Sequence, residues 1–321
     1  MEYSLLVISL FIILLVYFKI AYKYNIVDKP NFRSAHVDVT LRGGGVIFWF
    51  ASLFYFVQNS SENYLFFIGI TILSLVSFWD DIQSLPNKIR LTAHFIAFSL
   101  VFYDLQLLTN YSIIAIIVFY ILAIGTLNAY NFMDGINGIT AGYSSSVLIG
   151  LWIVNNFQVE FINNELIYFV AISLLVFSLF NFRSKAKCFA GDVGSISIAF
   201  ILLFMLALLI TKTHNPLYLL FLSIYGIEST LTIVYRIWLK ENIFEPHRKH
   251  VYQLLANELR LPHPLISIIY SFIQLLICFI VYTTIKSSID VSVHLTMAFC
   301  TLTTLVLLFI SARVNINKYL A

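Results

Sequence analysis

Long apolar runs near residues 3–20, 44–58, 63–80, 91–108, 111–129, 137–155, 164–181, 193–211, 216–237, 264–285 and 290–311 alternate with short polar segments. A bilayer's hydrocarbon core takes about 20 helical residues to cross. The pattern therefore predicts an all-α polytopic membrane protein of about 10–11 transmembrane helices, with the second run the shortest. Nothing along the chain reads as an internal repeat, a low-complexity stretch or a soluble domain, so residues 1–321 form one integral-membrane unit. Composition agrees: 60% of residues are hydrophobic, 11% are charged, and mean hydropathy is +0.90, against about 25% charged in a soluble domain.

Charge fixes the orientation. With the N-terminus outside, seventeen of the nineteen Lys and Arg residues fall on the inner side and only Lys212 and Lys286 outside, the asymmetry of a positive-inside protein. The net charge of +3 is spread over several inner loops, which speaks for contact with a membrane surface and against nucleic acid. Glu2 precedes the first run where a signal peptide would carry basic residues, and no small-residue cleavage site follows, so that run is expected to remain as a helix. Cys188, Cys278 and Cys300 are too few and too scattered for a disulfide or zinc framework.

Against this background the polar residues within or beside the runs stand out. Asn128, Asn131, Asp134 and Asn137 recur every third residue in Asn128-Ala-Tyr-Asn131-Phe-Met-Asp134-Gly-Ile-Asn137-Gly138 and would form one polar stripe if the segment is helical; a capped helix end relieved by glycine is the alternative. The first inner loop, with Asp28, Arg33 and His36, leads into Leu41-Arg42-Gly43-Gly44-Gly45. Three glycines disfavour a helix start and imply close backbone approach, and an arginine beside free N–H groups suits a phosphate; a flexible loop with basic membrane anchors is the plainer option. Asp80-Asp81 closes the third run, where mutual repulsion and the negative helix end call for a cation. Lys88 or Arg90 would supply one, or a divalent metal, for which oxygen ligands favour magnesium or manganese over zinc. Asp192, in Gly191-Asp192-Val-Gly194-Ser195 after Arg183, Lys185 and Lys187, is either a helix N-cap or a carboxylate placed to hold a metal against a diphosphate. The last inner loop carries Glu245-Pro-His247-Arg248-Lys249-His250-Val-Tyr252-Gln253, with the two histidines about one helical turn apart and open to a packing role, a metal or a substrate phosphate. Glu228 lies deep in the ninth run, to be paired with Arg236 or to face a cavity.

Taken together, Asp80-Asp81, Asn128-x-x-Asn131-Phe-Met-Asp134-Gly-x-Asn137-Gly138, Gly191-Asp192-x-Gly-Ser and His247-x-x-His250, in this order and all on the inner side, resemble the polyprenyl-phosphate N-acetylhexosamine-1-phosphate transferases (glycosyl transferase family 4) across residues 28–255. The forms around Asn131 and His247 look most like the branch that initiates O-antigen and lipopolysaccharide synthesis, and less like the peptidoglycan branch with its run of three histidines. The resemblance implies transfer of a sugar-1-phosphate from a UDP-N-acetyl amino sugar to undecaprenyl phosphate, with Mg2+ (or Mn2+) and release of UMP, at the cytoplasmic ends of helices in the bacterial inner membrane. By the same resemblance Asp192 is the magnesium ligand, and Asp80, with Asp81 beside it, deprotonates or orients the lipid phosphate. Asp134 and Asn131 line the nucleotide-sugar site, Phe189 stacks on the base, and His247 and His250 lie near the diphosphate. Asn137 stands where many relatives have an aspartate, and Val39 and Leu41 where they have prolines. A transporter or flippase of an anionic or polyprenyl-linked solute is the competing class; acids clustered at one membrane face and the absence of a repeat weigh against it. An inactive scaffold of a polysaccharide assembly complex is a third. The sugar is open, with 6-deoxy amino sugars favoured by the branch alone, and so is oligomeric state, a homodimer included.

Overall fold

The computed structural model describes residues 3–30, 38–59, 62–243, 245, 247–287 and 290–320; Arg33 and His36 of the first inner loop lie outside the described residues. In chain order the elements are α1 (Tyr3–Lys23), strands β1 (Val27–Asp28) and β2 (Thr40–Leu41), then α2 (Val46–Gln58), α3 (Tyr64–Ile82), α4 (Asn87–Asp104), α5 (Leu107–Asn110), α6 (Ile113–Met133), α7 (Ile139–Phe157) and α8 (Asn164–Asn181). There follow α9 (Gly191–Thr213), a 3-10 turn (Pro216–Leu222) that runs into α10 (Ser223–Trp238), α11 (Val251–Asn257), α12 (His263–Ser287) and α13 (Val291–Leu320). A helix stands at each of the apolar runs. Eight of them, α1, α3, α6, α8, α9, the 216–238 unit, α12 and α13, are long and apolar enough to cross a membrane. Of the other three, α2 has only 13 residues, α4 opens on Asn87-Lys88-Ile89-Arg90, and α7 carries hydroxyl and amide side chains at Ser144 to Ser146 and Asn155.

The bundle is organised around α9. Every residue from Val193 to Leu202 is buried, because a helix apolar on all sides has to be surrounded, and α2, α3, α6 and α7 surround it. Its first turns are small residues, which lets another backbone come close. A Cβ on Gly45 would overlap the Gly194 backbone, and one on Gly194 would fall 2.7 Å from the Gly45 Cα. Deeper in, Phe66 stacks on Phe204 at 4.3 Å, and the Ser74 and Ser197 hydroxyls meet at 2.8 Å, so each polar atom in the seam has a partner. The opposite extreme is α13, which leaves Leu295, Phe299, Leu307 and Leu308 exposed, the kind of surface hydrocarbon covers. Cys188 and Cys278 are buried free thiols, whereas Cys300 on α13 is exposed.

Candidate active site

Four segments bring charge together at one end of the bundle: the last turn of α3, the first turns of α4 and α9, and the loop before α2. The Asp81 carboxylate takes the backbone N–H groups of Asp192 (2.8 Å) and Val193 (3.0 Å). It thereby caps α9 from another helix, at the end where the helix dipole favours an anion. Asp192 is not itself the cap: α9 begins at Gly191, with Ala190 in the cap position. Arg42 spans both acids, with Nε 2.6 Å from Asp81 and Nη2 2.9 Å from Asp192. Asp80 accepts from the Leu85 N–H at 2.5 Å and from Arg90 Nη1 at 3.0 Å, and Arg90 also reaches Asp192 at 3.7 Å. Asp80 and Asp192 lie within hydrogen-bonding reach of each other. The side chains of Arg42 and Arg90 remain 33% and 37% exposed while that of Asp81 is fully covered, so the cluster opens outward on its arginine side.

Two expectations change here. The cation expected from Lys88 or Arg90 is found for Asp80, as Arg90, but Asp81 is answered by Arg42 from the first inner loop. The N–H groups of Gly44 and Gly45 are not free for a phosphate; they donate to the carbonyls of Phe189 (2.8 Å) and Ala190 (3.0 Å). The Phe189 N–H in turn donates to the Leu41 carbonyl at 2.8 Å. The glycines are needed for that approach: Gly43 has φ +81°, a backbone state open to glycine, and a Cβ on Gly44 would sit 2.6 Å from Cys188 Sγ. The loop thus carries Arg42 to the acids and fixes Phe189, which is half-buried. Desolvation alone would weaken the Arg42 guanidinium's hold on its proton, but Asp81, Asp192 and Asp28 outweigh it and push its pKa up.

The expected asparagine stripe is broken. Helix α6 ends at Met133, Asp134 is its C-cap, and Asn137 leaves the helical line. Asn128 is exposed and bonds back to the Ile124 carbonyl at 3.0 Å. Asn137 is buried, and its amide nitrogen holds the carbonyls of Arg183 (2.9 Å) and Ser184 (3.1 Å), clamping the α8–α9 loop to the α6–α7 loop. Asn131 and Asp134 stay with the acids. Asn131 donates to Ser195 Oγ at 3.3 Å and also hydrogen-bonds Asp192. Asp134 accepts from Thr140 Oγ1 at 2.6 Å; desolvation pushes its carboxyl up to about 6, with the Thr140 bond pulling the other way.

The histidine loop arrives from the opposite side of this segment. His247 and His250 are not on a helix, since His250 is the N-cap of α11, yet their rings meet with centroids 5.0 Å apart. The His247 Nδ1 accepts the Lys249 N–H at 3.3 Å. Tyr252 seats the loop: its hydroxyl donates to the Phe132 carbonyl at 2.7 Å, two residues before Asp134, and its ring fills the space a side chain at Gly135 would occupy. Glu228 is buried and does not pair with Arg236. It accepts the Tyr252 N–H at 3.1 Å and the Tyr270 hydroxyl, which anchors α11 to α10 and α12. Burial first, then neighbouring positive charge, lowers the pKa of His247 to about 4 and of His250 to about 3, so both imidazoles are neutral at neutral pH. The turn 131–134 therefore joins the two groups, through Ser195 on one side and Tyr252 on the other. Tyr252 is the member whose contacts spacing alone did not assign; a tyrosine after the histidine motif was the available signal.

Among the described residues no three His, Cys, Asp or Glu side chains form a ready-made metal cage. The chemistry of the donors is that of a magnesium site all the same: Asp80 and Asp192 offer carboxylate oxygens, and Mg2+ is ordinarily held by one or two carboxylates with its other ligands from outside the protein.

Residues 63–211 match the sequence family described as Glycosyl transferase family 4. An undecaprenyl-phosphate alpha-N-acetylglucosaminyl 1-phosphate transferase of Escherichia coli (strain K12) is 27% identical over 281 residues, 79% of this chain and 76% of its own length. The Thermotoga maritima protein of the same description is 26% identical over 245 residues, 74% of this chain and 76% of its own length.

Proposed function

We propose that this chain is a member of glycosyl transferase family 4, whose model matches residues 63–211, and that it transfers N-acetylglucosamine-1-phosphate, or a closely related amino-sugar-1-phosphate, from its UDP-sugar to undecaprenyl phosphate. UMP leaves, and the lipid-diphosphate-linked sugar starts a cell-surface polysaccharide, of the O-antigen type on the branch resemblance. The observation that carries this reading is the convergence of Asp80, Asp81 and Asp192 with Arg42 and Arg90, next to the turn that holds Asn131 and Asp134. Both reactants are anions, and their approach costs Coulomb repulsion that cationic groups offset. The donor sugar follows from the relatives, whose descriptions name N-acetylglucosamine.

In this reading an oxygen of the lipid phosphate attacks the β-phosphorus in line, and the bond from the β-phosphorus to the bridging oxygen breaks as UMP departs. Asp80, oriented by Arg90 and the Leu85 N–H, positions the attacking phosphate and takes any proton it still bears. Asp192 holds Mg2+, which when bound supplies positive charge to the diphosphate. Asp81 keeps Asp192 and Arg42 in register rather than touching substrate. His247 and His250, being neutral, donate hydrogen bonds to diphosphate oxygens in place of charge. Asn131, Asp134 and Phe189 border the nucleotide-sugar. Asn128 and Asn137 are left out of that contact set by their exposure and by their engagement with loop carbonyls. Arg42, Arg90, Arg183, Lys185 and Lys187 lie in the segments that form or adjoin the site, and by the positive-inside bias they support a site on the cytoplasmic face of the inner membrane.

Membranes containing the protein, given radiolabelled UDP-N-acetylglucosamine, UDP-N-acetylgalactosamine or a UDP-6-deoxy-N-acetyl sugar, test the reading. UMP release that requires both undecaprenyl phosphate and Mg2+ is the expected result, fastest with UDP-N-acetylglucosamine. Absence of UMP with every donor overturns it.

A further inference from the structure

Among its described residues the loop between α10 and α11 has no ladder or helix to hold it, and its backbone carbonyls need donors. Two buried arginines supply them. Arg236 on α10 gives Nη1 to the Ile243 carbonyl (3.1 Å) and Nη2 to the carbonyls of Asn242 (2.5 Å) and Glu245 (3.0 Å), while its Nε meets the Glu241 carboxylate at 3.2 Å. Arg313 comes from α13, beyond the stretch matched to the family. Its Nη2 reaches the Lys249 carbonyl at 2.5 Å and Thr232 Oγ1 at 3.3 Å, and its guanidinium lies over the Tyr235 ring at 4.3 Å and near Phe309 at 5.1 Å. Lys249 lies between the two histidines. Its N–H bonds His247 and its ammonium pairs with Glu241, so fixing its carbonyl fixes the orientation of both imidazoles.

Arg313 is buried, 7% exposed, on a helix whose other described flanks mostly face outward. Among the described residues no carboxylate pairs with it. A buried guanidinium held by a carbonyl, hydroxyls and two aromatic faces, with no ion pair among the described residues, is costly in a bilayer, and it leaves a positive charge directed at its surroundings. Resting on the transferase reading, we propose that Arg313 is a positioning residue for the reaction: it locks His247 and His250 in place through the Lys249 carbonyl and sets a fixed positive charge beside them. The groups facing these imidazoles are Glu228, whose Oε1 lies 4.0 Å from His250 Nδ1, together with Tyr252, Arg236, Glu241, Lys249 and Arg313 itself. Arg313 is one of the cations that depress both pKa values. Its removal therefore moves them upward in part, burial being the larger cause.

The test compares wild type, Arg313→Gln and Arg313→Lys in membranes at equal abundance, with UDP-N-acetylglucosamine and undecaprenyl phosphate, across pH 5 to 8. Arg313→Gln is expected to lower kcat on the order of ten-fold, the weight of one charge-assisted hydrogen bond, and to bring the acid limb of the rate profile to higher pH. Arg313→Lys keeps the charge and is expected to retain the wild-type limb with a reduced kcat. A wild-type rate and profile in Arg313→Gln overturn the proposal, as does an equal loss in both variants with no movement of the limb. If Arg313→Gln does not accumulate, Arg313→Lys alone decides: kcat within two-fold of wild type overturns the proposal. Inactivity of the wild type under all conditions is failure of the transferase reading, which is a different result from either.

Discussion

The two halves of the site are held by different kinds of contact. The acid cluster is mainly charge on charge: Arg42 and Arg90 bind three carboxylates from α3 and α9, and the N–H groups of Leu85, Asp192 and Val193 complete Asp80 and Asp81. The histidine loop is side chain on backbone, with Arg236, Arg313 and Tyr252 gripping carbonyls. A charge network is suited to meet a further ion, and losing one of its members leaves a buried ion uncompensated. A loop held by its carbonyls keeps donors aimed while adding little charge of its own. The first half is suited to binding a charge, and the second to directing hydrogen bonds.

The comparison is sharpest in the size of two losses. Asp192→Asn removes a charge from the network and is expected to lower transfer by about 10^3-fold or more, read as lipid-linked product per unit of enzyme in membranes. His250→Gln keeps a side chain of similar reach and removes one hydrogen-bonding ring, for an expected loss of about 10^2-fold. Equal losses in the two variants would erase the distinction between the halves.

The smallest expected effect is on stability against pH. Unfolded histidines titrate near 6.5, whereas in the fold His247 does so near 4 and His250 near 3. The unfolded chain therefore binds protons more readily. The stabilisation from keeping these rings neutral is complete above about pH 6.5 and is lost as the pH falls toward 4. Asp134 works the other way: its carboxyl is raised from 3.8 to about 6, so its contribution is present below 3.8 and lost as pH rises through 6. The two histidines by themselves therefore lower the thermal unfolding temperature in detergent at pH 5 relative to pH 7.5. Replacing both histidines with Gln should shrink that difference.

The same contrast explains what was legible in the sequence. Each apolar run corresponds to a helix because a bilayer demands length and little else. Asp80, Asp134 and Asp192 stood out because a carboxylate beside an apolar run needs a reason. Pairings were less visible: Asp81 with Arg42 joins distant segments through a glycine turn, and a carbonyl held by Arg313 leaves no mark in the residue types at all. Asn137 misled for a related reason. Its three-residue spacing matched a helical stripe, but the chain leaves the helix at Asp134 and Gly138 takes φ +87°, so the side chain turned to loop carbonyls instead.

The central claim is that the acid cluster carries out phosphoryl transfer to a lipid acceptor. Donor labelled with 32P at the β-phosphate tests it most directly, incubated with sealed membranes, Mg2+ and undecaprenyl phosphate. The account predicts that the label moves into the lipid fraction while an equal amount of unlabelled UMP appears. Label that stays on the nucleotide while sugar reaches the lipid, or intact UDP-sugar that crosses the membrane without any lipid product, would contradict it.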